Sequence, residues 1–257
     1  MLLTSTEIIS KSWEDYQKNW HNWMFFSLLI FLPSFVLMLS GSFGGFLNTY
    51  VPSTSTLTDL IIFILFIFSA FFGLWTSLAL THAGIKFLQS GKNDFWKEHY
   101  TATLLSIWPA FYTSFFALVF VALGIIFFLI PGIIISVWYF FIIYNIIAND
   151  ERGFKALSSS KQLVRGRWWS VAWRITIPAL FFGFSLLIIQ SILVGIVDSL
   201  PFSILSIAII ENVVKGISSS IMAPLTMLAG LNLYYSLRDN PFSETPVLLS
   251  NEPPAKS

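Results

Sequence analysis

Residues 99–149 read HYTATLLSIWPAFYTSFFALVFVALGIIFFLIPGIIISVWYFFIIYNIIAN, 51 positions without an Asp, Glu, Lys or Arg. A helix crosses the hydrocarbon core of a bilayer in about 20 residues, so this run holds two crossings and a turn. Pro131-Gly132 is the expected turn, because proline cannot continue a helix and glycine tolerates unusual backbone angles. A spanning segment must bond all its backbone polar groups internally, which leaves helices or a closed barrel. Barrel strands alternate with period two, whereas Leu60-Ile61-Ile62-Phe63-Ile64-Leu65 does not, so the spans are read as helices.

Working outward, the runs 19–58, 60–85, 175–197, 199–210 and 216–237 also carry no Asp, Glu, Lys or Arg. They predict spans at 23–40, 59–82, 102–129, 133–149, 170–197 and 215–237. The 257-residue chain is 56% hydrophobic and 18% aromatic, and only 11% charged. Soluble domains are about 25% charged. The chain has too few charges for a water-facing surface, a disordered chain or a nucleic-acid binder, so no nucleic acid is expected as a partner. With no cysteine, disulfides and thiolate chemistry are absent.

A six-span reading places 13 of the 14 basic residues on one side, all but Lys215. The positive-inside rule then predicts a multi-pass protein of the cell membrane with both termini in the cytoplasm. No secretory signal is read in residues 1–22, which carry Glu7, Lys11, Glu14, Asp15 and Lys18. Residues 239–257, with Pro241, Glu244, Pro246, Pro253 and Pro254, read as a disordered cytoplasmic tail.

The odd spans share a spacing. Trp23, His99 and Trp168 are each followed ten residues later by a proline, at Pro33, Pro109 and Pro178. An amphipathic stretch precedes each: about 5–20, where Thr4 and Glu7 suggest a capping box; the stretch around Phe95, Trp96 and Tyr100, amid Lys92, Asp94 and Lys97; and 154–169. Such stretches suit helices lying in the headgroup plane. The predicted fold is therefore an all-α integral membrane protein with six transmembrane helices and three interfacial elbow helices. It forms a threefold repeat with units of about 5–90, 91–150 and 151–238, and the three prolines are expected to break their helices.

The richest candidate site is the loop before the fifth span. Lys155, Ser160, Lys161, Arg165, Arg167, Trp168, Trp169 and Arg174 combine cations, a hydroxyl and interfacial aromatics, a composition suited to anionic lipid headgroups. Glu211 and Lys215, four apart, can pair on one helix face. They are placed near the external interface as an ion pair or gate, with Glu211 in a possible short helix over 199–213. His21, His82 and His99 sit near the opposite interface without ligand-like spacing, so no metal site is expected. Gly216, Ser218, Ser219, Ser220 and Ala223 suggest close helix packing. Asn145 and Asn149 need hydrogen-bond partners if buried, the deeper Asn145 above all. No catalytic motif is found and no cofactor is implied.

Pro131-Gly132, the stretch Asp150-Glu151-Arg152-Gly153, Ala156-Leu157, Ser160, Leu163, Arg165-Gly166 and Trp168-Trp169, and the closing Leu233-Tyr234-Tyr235-Ser236-Leu237-Arg238 together resemble a broad set of prokaryotic six-span proteins. Among them is the membrane domain attached to some glycerophosphoryl diester phosphodiesterases. The resemblance implies a membrane module working beside lipid-handling enzymes. It does not carry over hydrolysis, since the soluble catalytic barrel of those enzymes has no counterpart here. The expected function is a non-enzymatic membrane module engaging anionic lipids or a membrane protein partner. The alternative is a small transporter or lipid-translocating protein using the proline-bearing spans.

Overall fold

The computed structural model describes residues 2–50, 55–91, 95–201 and 204–242, and of residues 41–50, 55, 204–206 and 208 the backbone alone. Lys92, Asp94, Lys256 and the tail from 243 onward lie outside the described residues. Among the described residues the chain is helical throughout, with no strand. The helices are α1 (Ser5–Lys18), α2 (Trp20–Tyr50), α3 (Ser55–Ser90), α4 (Trp96–Thr103), α5 (Ile107–Phe127), α6 (Leu129–Tyr139), α7 (Ile142–Asn149), α8 (Phe154–Val164), α9 (Trp168–Asp198) and α10 (Ile204–Asp239). A 3-10 turn, Leu104–Ser106, joins α4 to α5. Six helical segments are long and apolar enough to cross a membrane: Trp20–Ser40, Thr56–Ser90, Trp96–Phe127, Leu129–Asn149, Trp168–Asp198 and Ile209–Asp239. The protein is a multi-pass membrane protein.

α1 starts with the capping box read from the sequence. The Glu7 amide donates to Thr4 Oγ1 at 3.3 Å and the Thr4 amide donates to Glu7 Oε2 at 2.7 Å. The Thr4 amide and the Thr4 hydroxyl, which donates to Glu7 Oε2 at 2.9 Å, hold the Glu7 carboxyl below its usual range.

The core gathers around the last turns of α10. Leu228, Leu231, Leu233, Tyr234 and Leu237 are buried against Ile8 of α1, Trp23 and Phe26 of α2, Ala83 and Phe87 of α3, and Val171 of α9. Within its apolar window α10 is 39% buried, against 11% for α3 and α9. α10 is thus the central helix, and α3 and α9 lie toward the outside. Away from this core Phe63, Phe68, Ile126, Phe128, Ile188 and Ile192 stand exposed. In water such a surface would be a liability; against lipid tails it costs nothing, because the tails are as apolar as the side chains.

Buried polar side chains are paired across helices. Asn232 of α10 donates to Asp15 Oδ2 of α1 at 3.1 Å. The Tyr234 hydroxyl donates to Asn145 Oδ1 at 3.1 Å and accepts from Asn149 at 3.1 Å. Both asparagines singled out in the sequence therefore meet one tyrosine. The N-terminal segment meets the end of α10 here: the Leu3 amide donates to Ser236 Oγ at 3.0 Å, and Asn240 donates to the Ser236 carbonyl at 2.9 Å. Residues 239–242 of the expected tail are placed, with Phe242 against Gly166; the rest of it lies outside the described residues.

Several local expectations are corrected. The turn between the third and fourth spans falls at Phe128, which has extended backbone angles, while Pro131 sits in the first turn of α6. There its missing N–H is one the helix leaves unbonded anyway. Gly132 serves close approach: a Cβ on it would lie 2.8 Å from the Ile125 backbone nitrogen of α5. Pro33 and Pro178 do not break their helices, since α2 and α9 each run continuously for 31 residues around them. Pro109 stands just inside α5, after the 3-10 turn. Residues 204–213 are not a separate short helix but the start of α10, which runs 36 residues, or about 54 Å at the helical rise.

Gly132→Ala should push the α5–α6 hairpin apart and cost about 1–3 kcal/mol. A thermal melt in detergent should show a clear drop for it, and little change for Gly73→Ala, whose added Cβ meets nothing within 4 Å.

Candidate functional site

The fourth span has a gap between α6 and α7, where Phe140 and Phe141 leave the helical ladder. A gap at that depth exposes backbone polar groups that lipid cannot satisfy. Ser160 of α8 fills it. Its hydroxyl donates to the Trp138 carbonyl at 2.6 Å and accepts from the Phe141 amide at 3.1 Å. Ser160 is fully buried. It is therefore a backbone splice and not the headgroup ligand expected from its neighbours in sequence.

Around this splice α8 is fixed by its own amphipathic pattern. Ala156, Leu157, Ser160 and Val164 are buried, and their spacing puts them on one face. Gly153 starts the helix at φ 57°, with its amide donating to Thr113 Oγ1 at 3.0 Å. Gly166 then takes φ 73° and turns the chain into α9. Trp168, at the start of α9, donates its indole N–H to the Ile134 carbonyl at 3.2 Å.

α6, α8 and the first turn of α9 enclose an open groove of about 940 Å³. Ile130, Ile133 and Ile134 form one wall, and Trp138, Trp168 and Trp169 the others. Lys161 and Arg165 are the charged groups along it. The Lys161 ammonium lies 4.3 Å from the centre of the Trp138 ring, a cation–π contact that holds it over the groove. The groove is an apolar slot with two cations along it.

The sequence-predicted residues divide accordingly. Lys161, Arg165, Trp168 and Trp169 line the groove. Lys155 is exposed and lies 3.8 Å from Glu151. Arg167 donates to the carbonyls of Leu163, Leu237 and Asn240, stapling the end of α10. Arg174 donates to the Leu3 carbonyl at 2.6 Å and to Ser170, stapling the N-terminal segment. Both arginines are structural clamps, because their donors are spent on backbone carbonyls. Ile130, Ile133, Ile134 and Trp138 were not singled out in the sequence; their i, i+3, i+4, i+8 spacing was the available signal.

Lys215 and Glu211 pair at 2.6 Å within α10. Gln190 of α9 donates to the Lys215 carbonyl and to Ser219 Oγ, each at 3.2 Å. This pair lies apart from the groove. His82 Nδ1 and His99 Nδ1 lie 3.0 Å apart, joining α3 to α4. Sequence spacing could not show this, because the residues meet from different helices. No group of three or more His, Cys, Asp or Glu able to hold a metal occurs among the described residues.

The fold and groove define a six-span membrane protein with a lateral apolar slot. Compared with protein-family models, curated proteins and solved structures, the chain matches none.

Ser160→Ala should leave the Trp138 carbonyl and the Phe141 amide unbonded, at a cost of about 1–3 kcal/mol. Hydrogen exchange should become faster across residues 138–142 first. Ser160→Thr, which retains the hydroxyl, should retain most of the protection if the added methyl fits.

Proposed function

We propose that this protein is a non-enzymatic module of the cell membrane that holds an anionic lipid in the groove between α6, α8 and α9. Both termini are cytoplasmic, so the groove's cations face the cytoplasmic leaflet. α1, α4 and α8 act as three interfacial elbow helices, each leading into a proline-bearing span in a threefold repeat. What carries the reading is the pairing of Lys161 and Arg165 with a long apolar slot walled by tryptophans. Basic groups near an anionic leaflet attract lipid at about 1 kcal/mol each, and the slot supplies the apolar contact that makes the attraction local. A module that presents lipid would work beside lipid-handling enzymes or another membrane protein, as the family resemblance suggests.

Native mass spectrometry after graded detergent washing tests this. The wild type should retain one anionic lipid class in near-stoichiometric amount. Lys161→Ala with Arg165→Ala should weaken retention about 30-fold, from about 2 kcal/mol of lost attraction. Equal retention by both proteins would refute the reading. Arg167 and Arg174 are unsuitable for this comparison, since their loss would loosen the fold.

A second reading has one observation in its favour. A cavity of about 430 Å³ lies among α2, α3, α7 and α10, with Ser77, Thr81, Tyr144 and Thr226 on its walls. Hydroxyls inside a span suit passage of a small uncharged solute. Proteoliposome uptake that falls with Ser77→Leu and is indifferent to Lys161→Ala would favour translocation over lipid holding.

A further inference from the structure

A second, polar pocket of about 650 Å³ opens where α1 ends, α2 begins and α3 ends. Asp15, Lys18, Asn19, Asn22, Phe87 and Gly91 are among the residues lining it. It shares no residue with the groove of α6, α8 and α9 and does not rest on the lipid reading.

Asp15 is only 7% exposed. Asn232 donates to its Oδ2 at 3.1 Å. Among the described residues no basic group lies within ion-pairing distance of it, and its Oδ1 accepts no hydrogen bond. A carboxylate so deeply placed and half satisfied favours a cationic donor beside it. α1 and α3 both end at this pocket, at Lys18 and Ser90. Their C-terminal carbonyls add partial negative charge of the same sign.

The pocket also offers the opposite chemistry. Asn19 Nδ2 is buried without a hydrogen-bond partner, while its Oδ1 accepts from Asn22 at 2.9 Å. Lys18 lies at the pocket in an exposed pair with Glu14 at 2.8 Å, and exposed pairs of this kind are weak enough to exchange. A lone anion would meet Asp15, and a lone metal cation would meet Lys18 and the Asn19 donor. A group carrying both charges satisfies all three.

We infer that this pocket binds a small zwitterion, a primary ammonium next to a phosphate or carboxylate. The ammonium sits on Asp15 and the anionic part on Asn19 and Lys18. The same chemistry comes from a phosphoethanolamine lipid headgroup or from a free solute.

The test uses the full chain in nanodiscs of phosphatidylglycerol, titrated calorimetrically with O-phosphoethanolamine. Nanodiscs containing phosphatidylethanolamine, analysed for retained lipid, form a second arm. Binding of the free compound identifies a soluble ligand; retention of the lipid alone identifies a headgroup. In either arm Asp15→Asn, isosteric with the native residue, should weaken binding at least tenfold, and Asn19→Ala severalfold. Ethanolamine or inorganic phosphate alone should compete poorly. Unchanged binding in both variants, equal competition by phosphate alone, or no binding in either arm would overturn the proposal. Should Asp15→Asn lower the melting temperature, Asn19→Ala decides, because its side-chain amide bonds only to Asn22.

Discussion

The constraint on which this structure turns is that a backbone amide or carbonyl inside hydrocarbon must find a partner within the protein. The fourth span violates helical continuity at Phe140 and Phe141, and the hydroxyl of Ser160 repairs it from a different helix. That single side chain therefore does more than satisfy two groups. It seats α8 against α6, which places Lys161, the next residue, over the Trp138 ring. It also sets the distance between α6 and the turn at Gly166, across which Trp168 reaches the Ile134 carbonyl. The groove is a consequence of how the broken span is mended.

The rest of the bundle is tied together at that end. α10 supplies the buried face, and Asn232 and Tyr234 tie it to Asp15, Asn145 and Asn149. Arg167 and Arg174 then anchor the end of α10 and the N-terminal segment to the start of α9. Among the described residues many of the hydrogen bonds between helices lie here, and Phe, Leu and Ile stand exposed farther along the spans.

The span count and helical class were legible because absence of charge over 20 residues has one physical reading. Finer features were less so. Pro131-Gly132 marked the right hairpin but the wrong turn residue, since proline fits the first helical turn as well as a break, and glycine's role lay in contact with Ile125. Pro33 and Pro178 read as breaks, yet the helices pass through them, while the gap at Phe140 carries no proline or glycine at all. In the candidate site, the clustered basic residues pointed to Lys161 and Arg165, which line the groove. Charge could not separate them from Arg167 and Arg174, whose guanidinium groups donate to backbone carbonyls. The His82–His99 contact was invisible for the same reason: it depends on how α4 returns against α3.

The central claim is that the groove selects its lipid. It is tested most directly by placing a photo-crosslinking residue at Ile133 and identifying the lipids it captures in mixed-lipid nanodiscs, with Phe63, exposed on α3, as the reference. The account predicts anionic lipid at position 133 well above its share of the bilayer, falling to the bulk share when Lys161 and Arg165 are alanine. Capture at 133 that mirrors the bulk composition, as at 63, would contradict it.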